Sequence, residues 1–386
     1  MKKGKKLICL VLAATMMLTM LTGCGNGSKN TTIWKIGGIG PTTGDNSAYG
    51  LGVKNAIELA VSEINDAGGI NGFKIEYKFE DDVTDNEKSV NAYNSLKDWG
   101  MNILVGCVTS GCCLAVAGRA ETDNMFQLTP SASASDCANY SNVFQVCFTD
   151  PNQGSGSAQY IGDHAMASKV AIIYNSSDVY STGIYEKFVV EAKNQPFEIV
   201  STEAFTEDSK TDFTVQIQKA KEAGAELIFL PIYYQEATLI LTQTKGMDYA
   251  PIFFGCDGID GILTGVEGFD KSLAEGVILL TPFAADAKDD YTVKFVTAYQ
   301  EKYGVIPNQF AADAYDAVYI LKDVIEQSGA VPADGVSGIC DKLKVAMTEI
   351  THDGLTGESM TWSTNGEVNK APKAMKIING VYSLME

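Results

Sequence analysis

The chain reads as an α/β protein built from two doubly wound, parallel-sheet lobes. Three observations predict this. Short apolar segments of strand length alternate with segments of helical periodicity along most of the sequence. The rhythm pauses near residue 150 and restarts after Asn152. Once a leader is removed, about 360 residues remain, more than one ordinary core accommodates. Regular strand–helix alternation implies parallel sheets with helices on both faces.

The elements follow in order. Residues 33–40 form an apolar strand ending in glycine. A helix over 49–67 carries Val53, Ala56, Ile57, Ala60, Val61 and Ile64 on one face, and Gly68-Gly69 stop it. A half-buried strand at 73–80 and a helix at 87–99 come next. They lead to a strand at 103–108, a helix at 114–124 and a strand at 125–128. The second run predicts helix 154–166, strand 170–174, helix 182–193, strand 197–205, helix 213–223, strand 227–231, helix 235–245 and strand 252–255.

Before the first strand lies an export leader. Lys2, Lys3, Lys5 and Lys6 precede an apolar run broken only by Thr15 and Thr19. That run is shorter than the roughly 20 residues of a membrane span. Leu21, Thr22, Gly23 and Cys24 follow it and are similar to a bacterial lipobox, in which the chain is cut before a lipid-bearing cysteine. The expected product is an exported protein, lipid-anchored through Cys24 to the outer face of the cytoplasmic membrane. Residues 1–23 are then the signal and 24–32 a small, polar tether.

Composition excludes other classes. Loss of the leader lysines takes the formal charge from −19 to −23, and Arg119 is the sole arginine. Nucleic acid is therefore not a partner. The two histidines, His164 and His352, lie in no nucleophile motif, so no enzyme is expected. Gly38-Ile39-Gly40-Pro41-Thr42-Thr43 lacks the third glycine of a dinucleotide fingerprint, and no cofactor is expected. Asp81, Asp82 and Asp85 lack the twelve-residue calcium pattern; they read as a solvated acidic loop, and no metal is expected. Cys107, Cys112, Cys113, Cys137, Cys147, Cys256 and Cys340 remain after the leader and Cys24 are set aside. They read as free, mostly buried thiols.

In doubly wound sheets, ligands sit beyond the carboxyl ends of the strands. The loops there hold Thr109-Ser110-Gly111, opening a helix, and Thr129-Pro130-Ser131-Ala132-Ser133. A helix N-terminus with serine hydroxyls suits an anion; equally, Ser110 is an ordinary cap. In the second half Tyr233 and Asp257 follow strands. Asp257 either accepts from an ammonium group or simply turns the chain before Gly258. Taken together they suit a free amino acid: donors for its carboxylate, an acid for its ammonium, and Tyr49 and Tyr233 as an apolar wall.

These landmarks resemble the periplasmic branched-chain amino acid binding proteins. The likeness also rests on Ile64-Asn65-Asp66-Ala67-Gly68-Gly69, Glu80-Asp81-Asp82, Tyr180-Ser181-Thr182-Gly183, Tyr315-Asp316-Ala317 and Gly354-Leu355-Thr356-Gly357. It implies that Ser110 and Ser133 hold the ligand carboxylate and that the Ser131 carbonyl and Asp257 hold the ammonium. Ala132 and Tyr180 belong to the same implied site, with Tyr49 and Tyr233 facing the ligand. It implies a three-strand hinge with crossings near Pro151, Pro282 and Gly354. One lobe would then comprise 33–151 and 282–354, and the other 152–281 and 355–386. It further implies hinge closure, a monomer, and a membrane permease with its ATPase as partners. A disulfide that some relatives carry at the acidic loop is absent, since Val83 and Thr84 occupy it. A sensor for a membrane receptor, or a binder of another amine or amide, is the alternative.

Overall fold

A computed structural model describes residues 32–385. The leader, Cys24 and nearly all of the tether lie outside these residues. The first sheet is formed by β1 (Ile33–Gly40), β2 (Lys74–Asp81), β3 (Ile103–Gly106), β4 (Gln127–Thr129) and β5 (Val143–Gln145), in the order β2-β1-β3-β4-β5 with every pair parallel. The helices α1 (Ser47–Asp66), α2 (Asn86–Trp99) and α3 (Ser110–Thr122) connect its strands. The central strand β3 is buried along its whole length, because helices cover both faces.

The second sheet contains β6 (Lys169–Asn175), β7 (Glu198–Phe205), β8 (Leu227–Leu230), β9 (Ile252–Gly255), β10 (Ile278–Thr281), β11 (Lys373–Ile378) and β12 (Val381–Leu384). Its order is β12-β11-β10-β9-β8-β6-β7. The strands from β6 to β10 pair in parallel, whereas β11 and β12 form an antiparallel edge. A tight turn at Asn379-Gly380 joins those last two strands, which is why they run opposite. Helices α4 (Asp150–Asp163), α5 (Val179–Ala192), α6 (Thr214–Glu222) and α7 (Tyr234–Thr244) cover this sheet. The later helices α8 (Asp290–Tyr303), α9 (Gln309–Ser328) and α10 (Gly335–Met347) belong to the first lobe, where α9 lies along α1.

Several helices begin earlier than their apolar repeat indicates. The α3 helix starts at Ser110 rather than 114, and α4 at Asp150 rather than 154. The first turn of α4 is polar, and that of α3 buries only the small Ser110, Cys112 and Cys113, so the periodicity of larger apolar residues passes over both. The acidic loop also departs from expectation. Asp82 is fully buried, not solvated; its carboxylate accepts from the Thr84 amide at 3.0 Å, and burial raises its pKa to about 6. Asp81 accepts from the Thr42 amide at 2.8 Å, and Asp85 caps α2 through the amides of Glu87 and Lys88, each at 2.9 Å. These side chains close turns; Asp82 is buried by doing so, whereas Asp85 stays exposed and Asp81 partly so. All seven cysteines of the described residues are free and buried.

The chain leaves the first lobe between β5 and α4, and re-enters it between β10 and α8. The final crossing falls after Lys370 rather than near Gly354. Residues 355–370 stay on the first lobe, where Trp362 Nε1 donates to the Gln145 carbonyl at 2.8 Å and the Gln145 amide donates to the Gly366 carbonyl at 2.9 Å. Buried acids of α9 hold that segment. Asp316 accepts from the amides of Leu355 and Thr356, both at 2.9 Å, and from the Thr356 hydroxyl at 2.6 Å. Lys370 Nζ reaches Asp313 at 2.9 Å and Thr356 Oγ1 at 2.6 Å, with neither charged side chain more than 2% exposed.

Removing one member of such a pair strands the other in a low-dielectric setting. Lys370→Met is expected to destabilise the fold by about 3–5 kcal/mol, with Lys370→Met/Asp313→Leu recovering part of the loss. Urea unfolding of the three proteins measures this; equal stability of wild type and single variant would refute it.

Candidate functional site

The carboxyl ends of both sheets face each other, and the lobes meet over a small, tightly closed-in cavity. From the first lobe Tyr49, Val108, Thr109, Ser110, Ser131, Ser133 and Phe310 line it; from the second, Tyr180, Tyr233, Asp257 and Gly258. Seven of the eight residues singled out from the sequence therefore share one cavity. Ala132 does not line it. Its amide donates to Thr129 Oγ1 at 2.9 Å and its carbonyl accepts from Gln145 Nε2 at 2.7 Å, so its polar groups hold the loop together.

One wall is rich in donors. Helix α3 begins at Ser110, and no side chain caps its N-cap residue Thr109 to the first-turn amides. Those amides carry the positive end of the helix dipole. Ser110 Oγ accepts from the Ala134 amide at 3.1 Å, which leaves its own proton free to donate. The Ser133 hydroxyl is 1% exposed with only the buried Asp150 carboxyl beside it, and the Thr109 hydroxyl is 5% exposed with only the Cys112 thiol beside it. Ser131 contributes differently, since its hydroxyl is engaged by the Val108 carbonyl at 2.8 Å.

The opposite wall is acidic. Asp257 opens a short 3-10 turn, Asp257–Ile259, just beyond β9. Its Oδ1 accepts from the Tyr180 hydroxyl at 2.7 Å, and its backbone amide donates to Gln153 Oε1 at 3.2 Å. The next amide, of Gly258, donates to the Tyr180 oxygen at 2.8 Å. Only glycine fits there, as a Cβ would lie 2.5 Å from that oxygen. Burial raises the Asp257 carboxyl to about 7, against the lowering effect of Tyr180 and Gln153, and the charge of Asp313 adds to the rise. Burial also drives Asp150 well above the usual carboxylate range, with the Asp257 charge contributing. Among the described residues no lysine, arginine or histidine lines this cavity. The acid lacks a cation.

Aromatic rings form the remaining walls. Tyr49 stacks on Phe310 with centroids 4.1 Å apart and meets Tyr233 edge-on at 5.7 Å, while Tyr233 stacks on Tyr180 at 4.9 Å. Tyr49 also bridges the lobes: its hydroxyl donates to the Gly258 carbonyl and accepts from the Tyr234 amide at 3.3 Å. Phe310 was not foreseen, because it comes from α9 of the returning chain and nothing local marks it. Gln153 has no role in the sequence reading; its position one turn into α4 aims it at the loop after β9.

The comparisons agree with this architecture. The family model described as periplasmic binding protein matches residues 33–380. The Leu/Ile/Val-binding protein homolog 3 of Brucella melitensis is 28% identical over 340 residues, covering 86% of this chain and 88% of that protein. The leucine-, isoleucine-, valine-, threonine- and alanine-binding protein of Pseudomonas aeruginosa is 26% identical over 340 residues, covering 87% and 88%. The crystal structure of the branched-chain amino acid transporter substrate-binding protein LivJ of Streptococcus pneumoniae, in complex with isoleucine, superposes with a TM-score of 0.82 at 27% identity, covering 92% of this chain and 99% of that one. A two-lobed α/β chain with a site between its sheets, matched by that model over nearly its whole length, belongs to the periplasmic binding protein family.

Proposed function

We propose that this protein captures a small aliphatic amino acid, branched-chain foremost, outside the cytoplasm and delivers it to an ABC permease and its ATPase. The carrying observation is Asp257, an acid with no cation beside it, facing the hydroxyls of Ser110 and Ser133 across one cavity. An amino acid supplies both missing partners, an ammonium for Asp257 and a carboxylate for the hydroxyls and the α3 N-terminus. The aromatic walls leave the rest of the volume to an apolar side chain. The ligands named for the relatives support the same class.

In this reading the carboxylate docks first, on the front lobe. Closure then brings Asp257 and Tyr233 over the ligand and Tyr49 onto Gly258. Expelling water strengthens each charged contact, and the ligand favours the closed form by its differential affinity. The chain acts as a monomer, anchored by lipid on Cys24. No helix of the described residues is long and apolar enough to cross a membrane.

Calorimetry with leucine, isoleucine and valine tests the ligand class. Asp257→Asn keeps the shape but removes the charge, and is expected to weaken binding by about 2–5 kcal/mol. Unaltered affinity would remove Asp257 from the site. The pH dependence has a definite sign. Below about 7 the empty site holds a proton on Asp257, and an ammonium ligand must displace it. Affinity is therefore expected to fall as pH drops below that value, by up to about tenfold per unit, with proton release on binding at pH 6. Titrations in buffers of different ionisation enthalpy read that proton directly; a flat profile would contradict the assignment. For the anchor, Cys24→Ala is expected to release the protein from the membrane fraction, and retention there would exclude a lipid on this residue.

A further inference from the structure

Thr109 and Tyr233 line not only the inner cavity but a second, wider chamber between the lobes that opens to solvent. Six carboxylates border it, on Asp45, Asp85, Glu87, Asp178, Glu207 and Glu236, against one amine, Lys210. An acidic surface alone would be no more than solvated. Two buried atoms set this one apart. Glu236 is only 5% exposed, yet its Oε2 accepts no hydrogen bond from another residue. The Thr109 hydroxyl, where the two spaces adjoin, is 5% exposed with only the Cys112 thiol beside it.

Lys210 does not satisfy Glu236. Its amine lies 2.9 Å from Glu207 and 3.2 Å from Asp45 of the opposite lobe, but 3.9 Å from Glu236 Oε1. One cation is thus shared among three acids, and the deepest is served least. Burial raises the Glu236 carboxyl to about 7, as for an acid whose counter-ion is missing. No group of three or more ligating side chains among the described residues could hold a metal ion.

We infer that the outer chamber is a second ligand subsite, which takes the side-chain ammonium or guanidinium of a basic amino acid against Glu236. This rests on the inner cavity holding the zwitterionic head of that same molecule. The methylene stem would pass between Thr109 and Tyr233, whose ring gives it an apolar surface. The protein would then accept two classes, small aliphatic amino acids that fill the inner cavity alone and basic ones that span both.

Calorimetry with L-leucine, L-ornithine, L-lysine, L-arginine and putrescine on wild type and Glu236→Gln tests this. The basic amino acids are expected to bind wild type, and Glu236→Gln to weaken them about tenfold or more while leucine changes less than about threefold. Wild type gives a check free of any variant: added potassium chloride should weaken lysine more than leucine, because only lysine carries the extra charge. Leucine binding with no response to any basic amino acid would overturn the subsite and leave the amino-acid reading intact. Equal loss of leucine and lysine in Glu236→Gln, or equal salt dependence, would overturn it as well. Putrescine binding to leucine-saturated protein, lost in Glu236→Gln, would reassign the chamber to a free amine and overturn the basic amino acid. Silence from every amino acid would remove the inner reading and this one together.

Discussion

Asp257 sits fully enclosed with a tyrosine hydroxyl on one oxygen and no positive charge beside it. Much of the molecule follows from accommodating that group. A carboxylate removed from water without a cation is strongly disfavoured, so its proton affinity rises and the site stays poised for an ammonium ion. Tyr180 and Gln153 fix its orientation and hold the charge partly in check. Gly258 must lack a side chain to let Tyr180 approach, and β9 ends where it does to project the turn into the cleft.

The opposite wall carries the complementary deficit. Helix α3 begins at the cavity with Ser110, and the Ser133 hydroxyl is buried there. Each wall lacks what the other end of a zwitterion provides. Between them Tyr49 is a structural link as much as a wall, because its hydroxyl joins the back lobe at Gly258 and Tyr234. Other bonds across the lobes act in the same direction. The Gln309 amide, at the start of α9, donates to Asp260 at 2.8 Å, and Lys210 spans to Asp45. These polar ties are individually modest.

The α/β class and the order of elements were legible because buried strands and amphipathic helices differ in period. The post-strand loops were equally legible as places to search, since strand direction alone puts them at the cleft. What failed did so for local reasons. The first turn of α4 is polar and that of α3 offers only serine, glycine and two cysteines, so the repeat of larger apolar residues passed over them. Asp82 looked like one of several surface acids and is fully buried. The antiparallel edge of β11 and β12 depends on one tight turn near the end of the chain. The last crossing shifted from Gly354 to beyond Lys370 because Asp313 and Asp316 hold the intervening segment on the first lobe.

By itself the sequence determined the parallel α/β class, the two-lobe division, the acidic character and the residue types available to a zwitterion. Periodicity, strand direction and side-chain chemistry are local or near-local properties and need no coordinates. Only the tertiary structure decided that seven of the eight residues border one cavity while Ala132 does not. It also decided that Phe310 and Gln153 join them, and that Glu236 is buried without a partner. Those outcomes depend on which side chains meet when segments over a hundred residues apart pack together, and on how far packing removes each charge from water. Neither quantity is written in any single stretch of the chain.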